Sequence, residues 1–439
     1  MTGSKRDYVL AVQAPACSLG PDIFATESAF AIHLKALRAG LEPNFDRLVV
    51  LAPEFRKEDY YNNRAGYGEL SESADGIVFV PAYKNASSRW GFWSQEAVAL
   101  WKRLGKIFST AGCVHSGLAT DIWRPYLVLV NSRAWLAKIP TLFVVDIDFR
   151  SVSERFFRTG VWSKKSYLVN RVLHDPFKHL QVWLAIRMSN LILLKSPSMV
   201  AAYGAGRANV KDFLDAAHSA ADVVSEEDLE SRLAARQDRD QPLSVIYFGR
   251  FVPYKGLDFV LDAIEIAVAQ GAKVHLTLVG SGESFEDLRR RSASEGLRGA
   301  VTFLPTVKYG AELFDLVDRA DVAVAAPKVE DTPRAALDAM ARGLPMVAFD
   351  IDYFRNLSEK CGAVALAQWP SPQSLADQFV SLSSDRAQIA TMSRNAVAFA
   401  RSNTQEIWLR RRVGWTMEFL NPPDVSARRS TEEQRGNQG

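Results

Sequence analysis

The chain has 439 residues, more than one compact core ordinarily holds, so two domains are expected. An apolar fraction of 48% and a charged fraction of 23% are those of an ordinary globular protein, and a net charge of +3 is too small to argue for nucleic-acid binding. Three cysteines, Cys17, Cys113 and Cys361, are odd in number, far apart and without metal-ligand spacing, which excludes a disulfide framework and points to a reducing cytoplasm.

In chain order, the first apolar run, Tyr8–Val12, is too short for a signal-peptide core and reads as a strand. No later stretch approaches the roughly 20 apolar residues needed to span a bilayer. Arg47–Leu51, Gly76–Val80, Pro140–Val145 and Leu191–Leu194 are further strands of the first half, with a helix over Glu27–Ala39. His115, in Cys113–Gly117, ends another strand. Arg150 to Arg187 carries eight Lys or Arg against two acids, interleaved with Phe156, Phe157, Trp162, Tyr167, Phe177 and Trp183. Such a stretch suits either a solvated helix pair with an aromatic core side or an anionic membrane surface. Gly206–Gln241 follows; its second part is charged and lacks a strong apolar stripe, and the domain linker is placed there.

The second half alternates nearly continuous apolar runs with helical patterns. The runs are Ser244–Phe248, Val274–Val279, Ala300–Leu304, Asp321–Ala326 and Pro345–Phe349; the helices include Leu257–Ala269 and Ser284–Glu295. Runs buried on both faces and alternating with helices imply βαβ units in a parallel sheet. Two such halves predict an α/β protein of two Rossmann-like domains facing a cleft at the carboxyl ends of both sheets. The polar tail after Leu420 reads as disordered.

The densest motif is Glu330 to Pro345. Thr332 is read as N-cap and Pro333 as the first helical residue, Gly343 as the left-handed stop and Pro345 as the block beyond it. The helix N-terminus then faces the cleft with free amides and a partial positive charge, and Arg334 adds a cation, a natural seat for a diphosphate. Glu330 and Asp338 are acceptor-only groups that suit the hydroxyls of a sugar and a ribose. Gly249-Arg250 and Lys255-Gly256 form a second cationic element, and Gly280-Ser281-Gly282 a third glycine-rich turn.

Together, Gly249-Arg250…Lys255-Gly256, Gly280-Ser281-Gly282 and Glu330-x7-Asp338-Ala-Met-Ala-x-Gly343-x-Pro345 resemble the group 1 (family 4) retaining glycosyltransferases of GT-B fold, over about residues 244 to 420. The resemblance implies that Arg250 and Lys255 hold a donor diphosphate, that Glu330 contacts the transferred sugar, that Asp338 holds the ribose, and that amides near Thr332–Arg334 cap a phosphate. It implies no metal and no cofactor, and no dedicated protein base, the leaving phosphate assisting the acceptor hydroxyl. It also implies a final helix crossing back. The expected division is 1–210, a linker region at 211–240, a nucleotide-sugar domain at 241–404, a crossover helix at 405–420 and a tail at 421–439.

The sequence departs from the family at three places. Asp338 stands where the family has Glu, Asp146 stands where many members carry His, and the usual glycine pair is missing from the first loop, 15–27. Asp146 and Asp148 end a strand and are candidate cleft residues, as are His115 and His218; His218 equally reads as a polar surface residue. Plainer readings stand beside the others: Glu330 as a surface carboxylate, Arg250 and Lys255 as surface cations, Asp338 paired with Arg342. The expected partners are a UDP- or GDP-sugar donor, a glycan or lipid-linked acceptor, an anionic membrane surface through 150–187 at the inner membrane face, and no nucleic acid. Surface polysaccharide or glycolipid synthesis fits these. A nucleotide-sugar epimerase and a non-catalytic scaffold of the same fold are the rival readings.

Overall fold

The computed structural model describes residues 6–62, 64–236 and 241–420; the expected tail, 421–439, lies outside them. The strands of the first domain are β1 (Arg6–Ala11), β2 (Ala16–Ser18), β3 (Ile23–Glu27), β4 (Phe45–Glu54), β5 (Tyr67–Ser71), β6 (Ile77–Lys84), β7 (Ala111–Gly117), β8 (Thr141–Val145), β9 (Leu191–Leu194) and β10 (Val210–Asp212). They lie in the order β10-β9-β8-β7-β1-β4-β2-β3-β5, with β6 also on β4. Pairing from β10 through β4 to β6 is parallel, so the carboxyl ends of these strands share one edge. Segment 15–27, read from sequence as a loop, instead makes the antiparallel hairpin β2–β3. Phe24, Ala25 and Thr26 are buried there, so the hairpin extends the core into the space of an ordinary first loop.

The second domain holds β11 (Leu243–Phe248), β12 (Val274–Val279), β13 (Val301–Leu304), β14 (Val322–Ala325), β15 (Met346–Phe349) and β16 (Val364–Ala367). The order β13-β12-β11-β14-β15-β16 is parallel throughout and doubly wound. Every residue of β14 and β15 is buried, as their unbroken apolarity requires of central strands covered on both faces. The helix Leu257–Ala269 forms as expected, while Ser284–Glu295 contracts to Phe285–Ser292.

The chain crosses between the domains sooner than its composition indicated. Phe213 packs in the first core and Ala216 in the second. The charged segment read as a linker is the helix Glu226–Ala235, docked on the second domain. Leu229 and Leu233 pack with Ala390 and Val397, and Arg232 donates to Asp318 at 2.8 Å. Two leucines one turn apart are enough of a stripe when the polar side is also bonded. The last helix, Gln405–Leu420, returns to the first domain: Leu409 enters its core and the buried Arg412 lies over the Phe213 ring. Among the described residues no helix is long and apolar enough to cross a membrane.

Candidate functional site

The loop after β14 runs along the carboxyl edge of the second sheet into the helix Arg334–Ala341. The N-cap is Pro333, not Thr332: its ring holds φ at −68° while ψ stays extended at 123°, and no side chain caps the helix. The Thr332 hydroxyl is drawn across the cleft instead and donates to the Asp146 carbonyl at 3.0 Å. The stop falls as expected, with Gly343 at φ +82°.

Glu330 is not a surface carboxylate; it is 4% exposed. Arg155, on the first-domain helix Val152–Arg158, reaches its Oε1 at 2.8 Å, and the Asp352 amide lies at 3.4 Å. The Arg155 and Arg158 guanidinium groups sit 4.7 and 5.1 Å from the centre of the Trp369 ring. Burial pushes the Glu330 carboxyl up to about 7; Arg155 opposes the rise, and the charges of Asp352 and Asp148 add to it.

Asp338, also 4% exposed, accepts from the Tyr309 hydroxyl at 3.1 Å. It does not pair with Arg342, which donates to Asp318 at 2.9 Å. Burial raises the Asp338 carboxyl to about 7, against the lowering effect of Tyr309, Arg334 and the His218 backbone. His218 is fully buried and not a surface residue. Its Nε2 faces the Ala400 carbonyl at 3.0 Å, and its Nδ1 stands 3.9 Å from Asp338. Burial lowers the pKa of this ring. With Nε2–H bonded to a carbonyl, the neutral ring turns a lone pair towards Asp338, which favours the protonated acid.

Of the cationic pair, Lys255 is held by Asp331 at 2.6 Å, while Arg250 stays exposed, its guanidinium 3.4 Å from the Tyr254 hydroxyl. The glycines here answer first to the backbone. A Cβ on Gly256, at φ +67°, would run into the Ala326 carbonyl, and one on Gly282 into the Phe251 backbone. Gly249 sits at φ +142° beside Tyr247.

The first-domain candidates divide. Asp148 is buried and clamped by Arg150, whose Nε lies 2.9 and 3.1 Å from its two oxygens. His115 is buried against the Tyr8 hydroxyl at 2.9 Å; burial, then Arg412 and His33, hold its pKa well below the usual range. Asp146 faces the cleft. Its side chain is exposed at the surface of the cleft, yet the surrounding protein displaces enough water to raise its carboxyl; Asp215 adds, and Lys195, Arg412 and Arg334 oppose. Lys195, Asp215, Arg334 and Arg412 are thus the charges that act on it. Lys195 Nζ and Arg334 Nε stand 3.8 and 4.0 Å from Asp215 Oδ2. Burial works against the Asp215 charge, but Lys195, His33, Arg334 and Arg412 hold its pKa far below the ordinary value.

Sequence reasoning missed Arg155, Tyr309, Lys195, Asp215 and Asp331. Arg155 was visible only as one cation in a basic run. Lys195 follows β9 at a strand's carboxyl end, the signal that singled out Asp146.

Two doubly wound domains facing one cleft, with a terminal helix recrossing it and paired carboxylates beside a helix N-terminus, define the GT-B architecture. Residues 242–385 match the family of group 1 glycosyl transferases, and the chain carries a group 1 glycosyltransferase domain. It is 30% identical to the lipopolysaccharide core biosynthesis mannosyltransferase LpsB of Rhizobium meliloti, over 36% of this chain and 46% of that one. It is 25% identical to the α-D-kanosaminyltransferase of Streptomyces kanamyceticus, over 33% and 38%. These matches span less than half the length of either relative. The structure of HepE of Anabaena, in complex with UDP and glucose, superposes with a TM-score of 0.62 at 18% identity, covering 94% of this chain and 99% of that one.

Proposed function

We propose that the protein is a metal-independent, retaining glycosyltransferase that moves a sugar from a UDP- or GDP-sugar to a glycan or lipid-linked acceptor. The observation that carries this reading is the pair Glu330 and Asp338, two buried carboxyls held near neutrality on either side of a helix N-terminus. Buried carboxyls with raised pKa values, beside a cleft and a helix N-terminus, are what a functional site presents. The amides at Arg334, with Arg250, Lys255 and Arg334 as cations, receive the diphosphate and stabilise the charge that develops as it leaves. Glu330 accepts a hydroxyl of the transferred sugar, and Asp338 with Tyr309 faces the ribose. The bond between the anomeric carbon and the phosphate oxygen breaks while the acceptor oxygen bonds to the same face. The acceptor's proton passes to the departing phosphate, so no protein base is required.

Relatives named for lipopolysaccharide core synthesis and for sugar transfer, and a similar structure in complex with UDP, support a role in polysaccharide or glycolipid synthesis. Contact with an anionic membrane through 150–187, at the cytoplasmic face, suits a lipid-linked acceptor. The test is calorimetric titration of UDP, GDP and ADP, in chelator, into the protein and into Arg250→Ala. One nucleotide is expected to bind, with the variant weaker by about 2 kcal/mol, as for a lost charged hydrogen bond. Binding of none overturns the donor site; turnover without acceptor overturns transfer in favour of epimerisation.

A further inference from the structure

Among the described residues, every large apolar side chain that is exposed lies before residue 189; the second domain has none. The exposed set is concentrated on one helical rod, Lys164–Met188, continuous through a π-helical turn at Asn170–His174. A surface helix ordinarily turns its apolar stripe inward. This one buries Gln181, Val182, Ala185 and Ile186 but turns Leu168, Val169, Val172, Leu173, Leu180 and Trp183 to solvent.

The helical turns after β6, Arg89–Gly91 and Phe92–Glu96, and the loop after β7 continue the same surface. Gln181 on the rod bonds both backbone groups of Ala119, at 2.9 and 3.0 Å, and fixes the rod against the loop that bears Trp123. Trp93 donates to the Trp123 carbonyl at 2.9 Å, and the Arg89 guanidinium lies 4.7 Å from the centre of the Trp123 ring. Trp90 is 86% exposed, Trp93 48% and Trp123 44%. Three open tryptophans beside an aliphatic stripe exceed the scattered apolar exposure of an ordinary surface.

Charge selects the partner. From Lys164 to Met188 there are five Lys or Arg and one carboxylate, Asp175, which is buried. A second copy of the chain would set this cationic surface against itself. Nucleic acid would use the cations but not the aliphatic stripe, since leucine and valine offer no stacking face. An anionic bilayer uses all of it: hydrocarbon for the stripe, the interface for the indoles, acidic headgroups for the lysines and arginines.

We propose that this composite face, the 164–188 rod with the tryptophans that follow β6 and β7, docks the first domain on an anionic membrane. It extends the basic stretch visible in sequence by two segments that stretch does not contain. These segments follow the carboxyl ends of β6 and β7 on the cleft edge of the sheet, and Arg155, just before the rod, reaches Glu330; docking therefore brings the cleft mouth to the lipid surface. Delivery of a lipid-linked acceptor rests on the transferase reading, but docking does not.

The test is flotation of the full chain with vesicles of phosphatidylcholine alone and of phosphatidylcholine with phosphatidylglycerol. The protein is expected to float with the second and not the first, less so in high salt. Trp90→Ser with Trp123→Ser, and Lys164→Glu with Lys165→Glu, are each expected to weaken flotation at least about tenfold. All four side chains are exposed, and unchanged melting and nucleotide titration verify intact folding. No flotation with anionic vesicles, flotation that both double variants leave unchanged, or a dimer in sedimentation that Trp90→Ser abolishes overturns the proposal. Failure of nucleotide binding with flotation intact would count against the donor site alone.

Discussion

Replacing Glu330 by Gln tests whether the buried carboxyl is held at a cost to the fold. Its pKa stands at about 7 in the native state against 4.5 for an unperturbed group. The native state therefore binds protons more tightly than the unfolded chain, and stability falls as pH rises from 4.5 to about 7. Below that window the penalty is absent; above it the penalty is complete, about 3 kcal/mol at 1.36 kcal/mol per pH unit. Gln keeps an acceptor for Arg155 but cannot ionise. The assay is urea unfolding of both proteins at about pH 4 and pH 8, followed by tryptophan fluorescence and by circular dichroism to check that the transitions coincide. The difference in stability between variant and parent should shift in the variant's favour by about 3 kcal/mol between the two pH values. Other titrating groups, Asp338 included, are common to both proteins and cancel. An unchanged difference refutes the reasoning, because the carboxyl would then be no more costly folded than unfolded. The variant is also expected to lose most turnover, so the stability gained is that which the site gives up for function.

Three further outcomes follow from the same geometry. If Glu330 works ionised, kcat/KM should rise through an apparent pKa near 7, and Arg155→Gln should move that limb to higher pH because Arg155 opposes the raised pKa; a pH–rate profile that does not move with the substitution contradicts this. Tyr309→Phe removes a donor to Asp338 and is expected to weaken nucleotide binding by about 1 kcal/mol, with less effect on a 2′-deoxyribose analogue, by calorimetry. Lys255→Met leaves Asp331, 7% exposed, without its 2.6 Å partner, and should cost about 3 kcal/mol in unfolding as well as nucleotide affinity; a variant as stable as the parent would show the pair to be dispensable.

The order of chemistry-bearing motifs was legible because each is local. Gly249-Arg250, Lys255-Gly256 and the Glu330–Pro345 segment are set by short-range turns, a strand end and a helix start. Even there the N-cap was misplaced by one residue, because Thr332 has a partner on the other domain and Pro333 holds the extended ψ itself. The 226–235 helix was read as linker because its stripe is two leucines wide, and only the groove beside Ala390 and Val397 shows that two suffice. His218 looked like a surface residue because its neighbours are small and polar, whereas its burial comes from the Ala400 region and the start of the last helix.

By itself the sequence determined the α/β class, the two domains and the resemblance to group 1 glycosyltransferases, since continuous apolar strands alternating with helices admit few other architectures. What only the tertiary structure decided is the company each functional group keeps: Arg155 on Glu330, Tyr309 and His218 at Asp338, Asp331 on Lys255, and three tryptophans beside an outward-facing stripe. The reason is physical. Backbone preference is spent within a few residues, while burial, charge pairing and the resulting pKa values depend on which surfaces meet when two sheets close on one cleft.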